Sequence, residues 1–149
     1  MLNKFKQLFE AAASGDNTSS EKPYAKLAAT ALLLELSRSD HDVAAQETQE
    51  IIAIAKSTFD IKDADIEHWL ADAGNHADQA TSLYEFTELI NQQFSKDQKY
   101  ELIVNMWRVA FADGRIDRYE DNLIRKVADL IYVSHSAFIR AKHEVGVAF

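Results

Sequence analysis

The 149-residue sequence contains no cysteine, only four glycines and a single proline. The absence of cysteine excludes disulfides, cysteine-ligated zinc, iron–sulfur clusters and thiol nucleophiles. It also fits a reducing compartment. Because hairpins and tight turns use glycine and proline heavily, the scarcity of both argues against a fold of strands and turns.

Long apolar runs are also missing, since no segment approaches the ~20 apolar residues that a membrane span needs. The residues Met1–Lys6 lead into an amphipathic segment instead of a continuous signal-peptide core, and we predict a cytoplasmic protein. Phe5, Leu8 and Phe9 form an apolar stripe beside two lysines. Peripheral membrane association of this stripe is one alternative. Packing against the domain is favoured, because two cations make a weak electrostatic anchor.

The formal net charge of −8 disfavours binding to a polyanion. The stretch from Arg108 to Lys142 is mildly basic, but it lacks the interleaving of aromatic with basic residues and the one-sided cationic face of a nucleic-acid site. We therefore expect no nucleic-acid partner. No zinc-helix, nucleophile-elbow, phosphate-loop or dinucleotide motif occurs, so the sequence predicts a non-enzymatic protein. A metal-dependent enzyme is the least favoured reading.

Apolar residues make up 47% of the chain and recur with helical spacing nearly throughout. We expect an all-α, single-domain bundle of about seven or eight helices over residues 1–149. The pattern predicts a first helix over 1–13, a flexible loop over 14–21, and a second helix that begins at Pro23.

Further along, Asp63 or Asp65 is expected to cap a helix that ends near Gly74. A helix over 80–94 follows as a linker, and Ser95 is a natural N-cap for the next helix.

The two halves of the chain match without a gap when one is shifted by 73 positions, the separation of Asp40 and Asp113. The units 27–70 and 100–143 would each hold three helices, related by a pseudo-twofold axis. Chance agreement between two helical hairpins is the alternative. The identical pairs include Asp40 with Asp113, Glu47 with Glu120, Ile51 with Ile124, Ala55 with Ala128 and Ile66 with Ile139.

The second unit contains an acidic corner that matches the second half of an EF-hand loop. A complete EF-hand is excluded, because Val109 and Phe111 occupy positions that need oxygen ligands. Asp113, Asp117 and Glu120 lie within one turn and could gather carboxylate oxygens around Ca²⁺ or Mg²⁺.

In the first unit the equivalent residues are Asp40 and Glu47. The middle ligand is replaced by Ala44, and Asp42 is the nearest substitute. A cation would therefore bind more tightly at the second corner.

The second corner has an equally simple structural interpretation. Asp117 and Glu120 have the spacing of a capping box, in which each side chain accepts a hydrogen bond from a free backbone N–H group. Gly114 suits the left-handed position after a helix. The carboxylates would then end one helix and begin the next without binding an ion.

The segment Ala110–Asp117 followed by Glu120, and Arg38–Asp40 followed by Glu47, resemble the TerB-like superfamily. The resemblance extends from about residue 27 to 143. It implies an all-helical fold with two repeats, divalent-cation binding at these acidic positions, a protein partner, and a link to tellurite resistance and stress responses.

At the first corner this chain departs from the family motif at two positions. His41 replaces the glycine of the motif, and Ala44 replaces its aspartate. The residues and the resemblance together predict a TerB-like module that binds a metal ion through candidate ligands at the second and first corners. The alternative is a purely structural interaction domain whose acidic residues are helix caps. The candidate ligands are Asp113, Asp117, Glu120, Asp40, Asp42 and Glu47.

Overall fold

The computed structural model describes residues 24–37 and 45–146. Within these residues the chain forms seven α-helices and one short 3₁₀ helix, with no strand. The all-α prediction is confirmed. The predicted first helix over 1–13, the loop over 14–21, and Asp40 and Asp42 lie outside the described residues. The helices are α1 (Tyr24–Ser37), α2 (Ala45–Ser57), α3 (Ile66–Gln79), α4 (Tyr84–Gln93), α5 (Lys96–Ala110), α6 (Arg118–Leu130) and α7 (His135–Val145), and the 3₁₀ helix Asp63–Asp65 precedes α3.

Helices α1 and α5 form the centre of the molecule. Eleven of the 14 residues of α1 are buried. Such a helix is apolar around most of its circumference, which is expected of an element surrounded by others. Helix α1 packs mainly against α3 and α4, helix α5 packs mainly against α7, and α1 and α5 also contact each other. The core therefore runs continuously through both halves.

The helix bounds repeat at the spacing that the sequence repeat predicts. Shifting α2 by 73 positions places it on residues 118–130, which are the bounds of α6. The same shift places the last residue of α1 on Ala110, the last residue of α5. These coincident bounds support a duplication of the helical unit.

Helix α4 connects the two halves through side-chain amides. Asn91 Nδ2 donates to the carbonyl oxygen of Leu130 at the end of α6, at 2.9 Å. Gln93 Oε1 accepts from the backbone amide of Ala25 in the first turn of α1, at 3.3 Å. Both bonds satisfy backbone groups that helix ends leave open.

Several predicted boundaries need correction. Helix α3 does not end near Gly74 but continues to Gln79. A single glycine inside a helix costs only ~1 kcal/mol, which packing offsets. Asp65 occupies the N-cap position of α3, as predicted, but its side chain makes no capping hydrogen bond. Asp63 is instead the first residue of the 3₁₀ helix, whose N-cap is Lys62. The linking helix begins at Tyr84 and not at residue 80.

One predicted cap is confirmed. Ser95 caps α5 in a complete capping box with Gln98. In the part of the chain that the structure describes, no helix is both long enough and apolar enough to cross a bilayer.

Candidate functional site at the acidic corners

The second acidic corner joins α5 to α6 through a tight turn. Gly114 has a φ of 85°, a left-handed conformation that residues with a Cβ rarely adopt. Its amide donates to the carbonyl oxygen of Phe111 at 2.9 Å. Asp113 Oδ1 accepts from the amide of Arg115 at 3.0 Å, which closes the turn. The predicted left-handed role of Gly114 is therefore present.

Asp117 and Glu120 form the capping box that their spacing predicts. The Glu120 amide donates to Asp117 Oδ1 at 2.8 Å, and the Asp117 amide donates to Glu120 Oε1 at 3.1 Å. Each carboxyl group thus uses one oxygen to satisfy a backbone N–H at the start of α6. The capping interpretation is confirmed for this pair.

The second oxygen of Glu120 has a different environment. Glu120 is only 2% exposed, and its Oε2 is buried with no hydrogen-bond partner among the described residues. The pKa of Glu120 is raised to about 8. Burial is the main cause, the charges of Asp117, Glu47 and Asp113 act in the same direction, and the hydrogen bond from the Asp117 backbone opposes them. Sequence spacing could identify the cap, but not this buried oxygen.

Glu47 brings the first corner into the same environment. It lies in the first turn of α2, at the position equivalent to Glu120, and it is 1% exposed. Its charge contributes to the raised pKa of Glu120, so the two carboxyl groups are electrostatic neighbours. The sequence pattern predicted two separate candidate corners, whereas in the fold the glutamates of both corners are buried and interact electrostatically.

The remaining candidate ligands differ in position. Asp113 is exposed and Asp117 is partly exposed, so both lie at the solvent side of the buried Glu120 carboxyl group. Asp40 and Asp42 lie outside the described residues. Over 24–37 and 45–146, no three acidic or histidine side chains are grouped closely enough to hold a metal ion. Geometry alone therefore does not define a complete coordination shell.

The family model described as "Tellurite resistance protein TerB" matches residues 26–143. This chain belongs to the TerB family. No curated protein and no solved structure gives a significant match.

The TerB match covers all seven described helices apart from the first two residues of α1 and the last two of α7. Both acidic corners lie inside it. The family assignment that the acidic motif suggested is confirmed. The chemical donors at the corners are carboxylate oxygens, which are the ligands that Ca²⁺ and Mg²⁺ prefer. An unsatisfied buried carboxylate oxygen at Glu120 is compatible with such an ion.

Sequence reasoning missed one polar feature of the interior. Asn105, in the middle of α5, is 1% exposed and lies beside a cavity that Thr58 also lines. The residue equivalent to Asn105 in the first unit is the aliphatic Leu32, so comparison of the two units could have identified this buried polar position.

Proposed function

We propose that this TerB-family chain is a non-catalytic helical module that binds one divalent cation between its two acidic corners. Glu120 and Glu47 would be the buried ligands, and Asp113 and Asp117 would contribute from the solvent side. Asp40 and Asp42 remain candidates from the sequence. The observation that supports the proposal is the buried Oε2 of Glu120, which has no hydrogen-bond donor among the described residues. The charges of Asp117, Glu47 and Asp113 also raise the pKa of this carboxyl group.

The electrostatics of the site support a cation. Burial disfavours the charged form of a carboxyl group, and neighbouring negative charges disfavour it further. A divalent cation would supply positive charge where Glu120 lacks a donor, and it would reverse the sign of the local interactions. Because the donors are all carboxylates, a hard ion such as Ca²⁺ or Mg²⁺ is the expected occupant.

The capping box and a cation site are compatible at the same residues. A carboxylate has two oxygens, and the box uses Oδ1 of Asp117 and Oε1 of Glu120. The other oxygen of each group is left for a ligand. The alternative, a purely structural interaction domain, uses the same caps without any ion.

The proposal includes a protein partner in a stress or tellurite-resistance role, as the TerB family implies. Exposed aromatic residues support this part, because tyrosine is enriched at protein interfaces. Tyr119 is half exposed and lies in the first turn of α6, two residues after Asp117. A partner that recognised the cation-bound corner would contact Tyr119.

The test is thermal unfolding of the metal-stripped protein with and without millimolar Ca²⁺, Mg²⁺ or Mn²⁺. An ion present at about 100 times its Kd, and bound only by the folded state, adds ~2.7 kcal/mol to the unfolding free energy. For a domain of this size we expect the melting temperature to rise by roughly 5–10 °C. Titration calorimetry should give one ion per chain.

Glu120→Gln and Glu47→Gln should each reduce the cation-induced rise, because both corners contribute to one site. Glu67→Gln, which removes a charge from an exposed position in α3, should leave it unchanged. Absence of any rise in the wild type would favour the structural alternative. A rise that survives Glu47→Gln but not Asp113→Asn would place the ion at the second corner alone.

A further inference from the structure

A cavity of about 100 Å³ lies between the C-terminal end of α2 and one side of α5. Its walls include Thr58 and Asn105 together with Phe59, Phe94 and Leu102. Thr58 lies 11 residues beyond Glu47, and a helical rise of 1.5 Å per residue separates them by ~16 Å. The cavity is therefore independent of the acidic corners.

Asn105 presents unused hydrogen-bonding capacity at this cavity. Its Oδ1 accepts from Arg108 Nη1 at 3.1 Å, which orients the amide nitrogen towards Thr58. Asn105 Nδ2 donates to Thr58 Oγ1 at 3.5 Å, the limit of a hydrogen bond. A carboxamide nitrogen carries two hydrogens and a hydroxyl carries one. One hydrogen of Asn105 and the hydroxyl hydrogen of Thr58 have no acceptor among the described residues.

The other half of the molecule shows that this polar pair is not required by the fold. The positions equivalent to Thr58 and Asn105 under the shift of 73 are Ile131 and Leu32, and both are fully buried. Burying polar groups without complete hydrogen bonding is unfavourable. The architecture thus accepts an aliphatic pair at this place, whereas the other half has the buried Asn105 beside the partly exposed Thr58.

The size and chemistry of the cavity define what it would take. An enclosed apolar cavity of ~150 Å³ holds benzene, which has six non-hydrogen atoms. This smaller space would enclose about four non-hydrogen atoms by the same ratio, and because it is partly open to solvent, a slightly larger ligand could extend from its mouth. Two hydrogen-bond donors on neighbouring residues suit one carbonyl oxygen, which has two lone pairs. Phe59, Phe94 and Leu102 suit a short apolar body. Lys26 and Glu101 also line the cavity and have opposite charges. The lining therefore favours neither an anionic nor a cationic ligand.

We propose that this cavity is a binding site for a small uncharged carbonyl compound, such as a short branched carboxamide, whose oxygen accepts from Asn105 and Thr58. The site is separate from the proposed cation site, and neither requires the other.

The probe is isobutyramide, which has six non-hydrogen atoms. It is titrated into the full chain while backbone and side-chain NMR resonances are recorded. We expect saturable shifts of the Asn105 side-chain amide and of Leu102, with a Kd of millimolar order for so small a ligand. Nuclear Overhauser contacts should join the probe methyl groups to Phe59 and Phe94. The double variant Thr58→Ile, Asn105→Leu copies the opposite half and should weaken binding at least tenfold.

The double variant should melt at or above the wild-type temperature, because it carries the pair that the other half already buries. If the double variant fails to fold, the Overhauser contacts between the probe and the wild-type protein still show whether the probe binds in the cavity. No saturable shift at these residues up to about 100 mM probe, where even a Kd of tens of millimolar is visible, would overturn the proposal and leave a cavity that holds water. Equal binding by wild type and double variant would also overturn it.

Discussion

Replacing Glu120 with glutamine should flatten the dependence of stability on pH in the metal-free protein. The folded state raises the pKa of Glu120 from an ordinary value near 4.5 to about 8. Between these values the folded protein binds more protons than the unfolded chain. The unfolding free energy therefore falls as pH rises through this window and is constant, for this group, below and above it. Glutamine cannot ionise, so the variant loses this contribution.

The magnitude follows from the size of the pKa change. Each pKa unit corresponds to about 1.4 kcal/mol, which gives a ceiling of roughly 5 kcal/mol between pH 4.5 and pH 8. Relaxation of the corner and entry of water reduce it, and we expect about 2–4 kcal/mol. At 2–4 °C per kcal/mol for a chain of this size, the wild type should lose roughly 5–15 °C relative to the variant across the window.

The assay is thermal unfolding in chelator at half-unit steps from pH 4.5 to pH 9, followed by circular dichroism. The quantity compared is the difference between variant and wild type, because other groups titrate in both. His76, whose pKa is lowered by burial and partly restored by Asp72, acts in the opposite sense near neutral pH and cancels in this difference. Glu67→Gln, at an exposed position in α3, is the matched control and should follow the wild type.

Equal pH dependence in Glu120→Gln and wild type would refute the reasoning, since it would mean that the Glu120 carboxyl group is hydrated in solution. A rise in wild-type stability from pH 5 to pH 8 that disappears in the variant would also contradict it, because that sign requires a lowered pKa. Either result would remove the electrostatic support for a cation at this corner while leaving the capping box intact.

Three further predictions use simpler perturbations, each followed by thermal or urea unfolding. Asp117→Ala and Ser95→Ala each remove a capping-box acceptor, so each should lower the unfolding free energy by ~1 kcal/mol; no loss in either would contradict the capping geometry. Gly114→Ala should lower the unfolding free energy by about 1 kcal/mol, because the φ of Gly114 is 85°. Gly74→Ala should raise it by up to ~1 kcal/mol, since the added Cβ meets only Leu34 Cδ1 at 4.0 Å. Two changes of the same sign would refute the assigned backbone conformations. Ile124→Ala should cost about 2–5 kcal/mol, and a loss below 1 kcal/mol would show that α6 does not pack as described.

Most of the fold was predictable from local patterns. Helical periodicity indicated every described helix, and Ser95 marked the start of α5 because a capping box is encoded within four residues. Gly74 misled the prediction, since a glycine that ends a helix typically adopts the left-handed conformation itself. Gly74 instead lies inside a continuous helix, and its φ is not positive.

The acidic site was predictable in part. The spacing of Asp117 and Glu120 identified the cap, and the acidic motif identified the TerB family. The spacing did not predict that Glu120 Oε2 would be buried without a donor, or that Glu47 would act on its pKa. Those properties depend on residues 73 positions apart, and no short-range pattern carries them.

The sequence by itself determined the all-helical class, the two-unit organisation of the helix bounds and the family, because these depend on periodicity and short motifs. Tertiary structure alone decided which carboxyl oxygens are buried, which charges are neighbours, and that Thr58 and Asn105 share a cavity where Ile131 and Leu32 fill the opposite half. The physical reason is that desolvation and through-space charge interactions act over a few ångströms in three dimensions. Helix packing sets those distances, and separation along the chain does not.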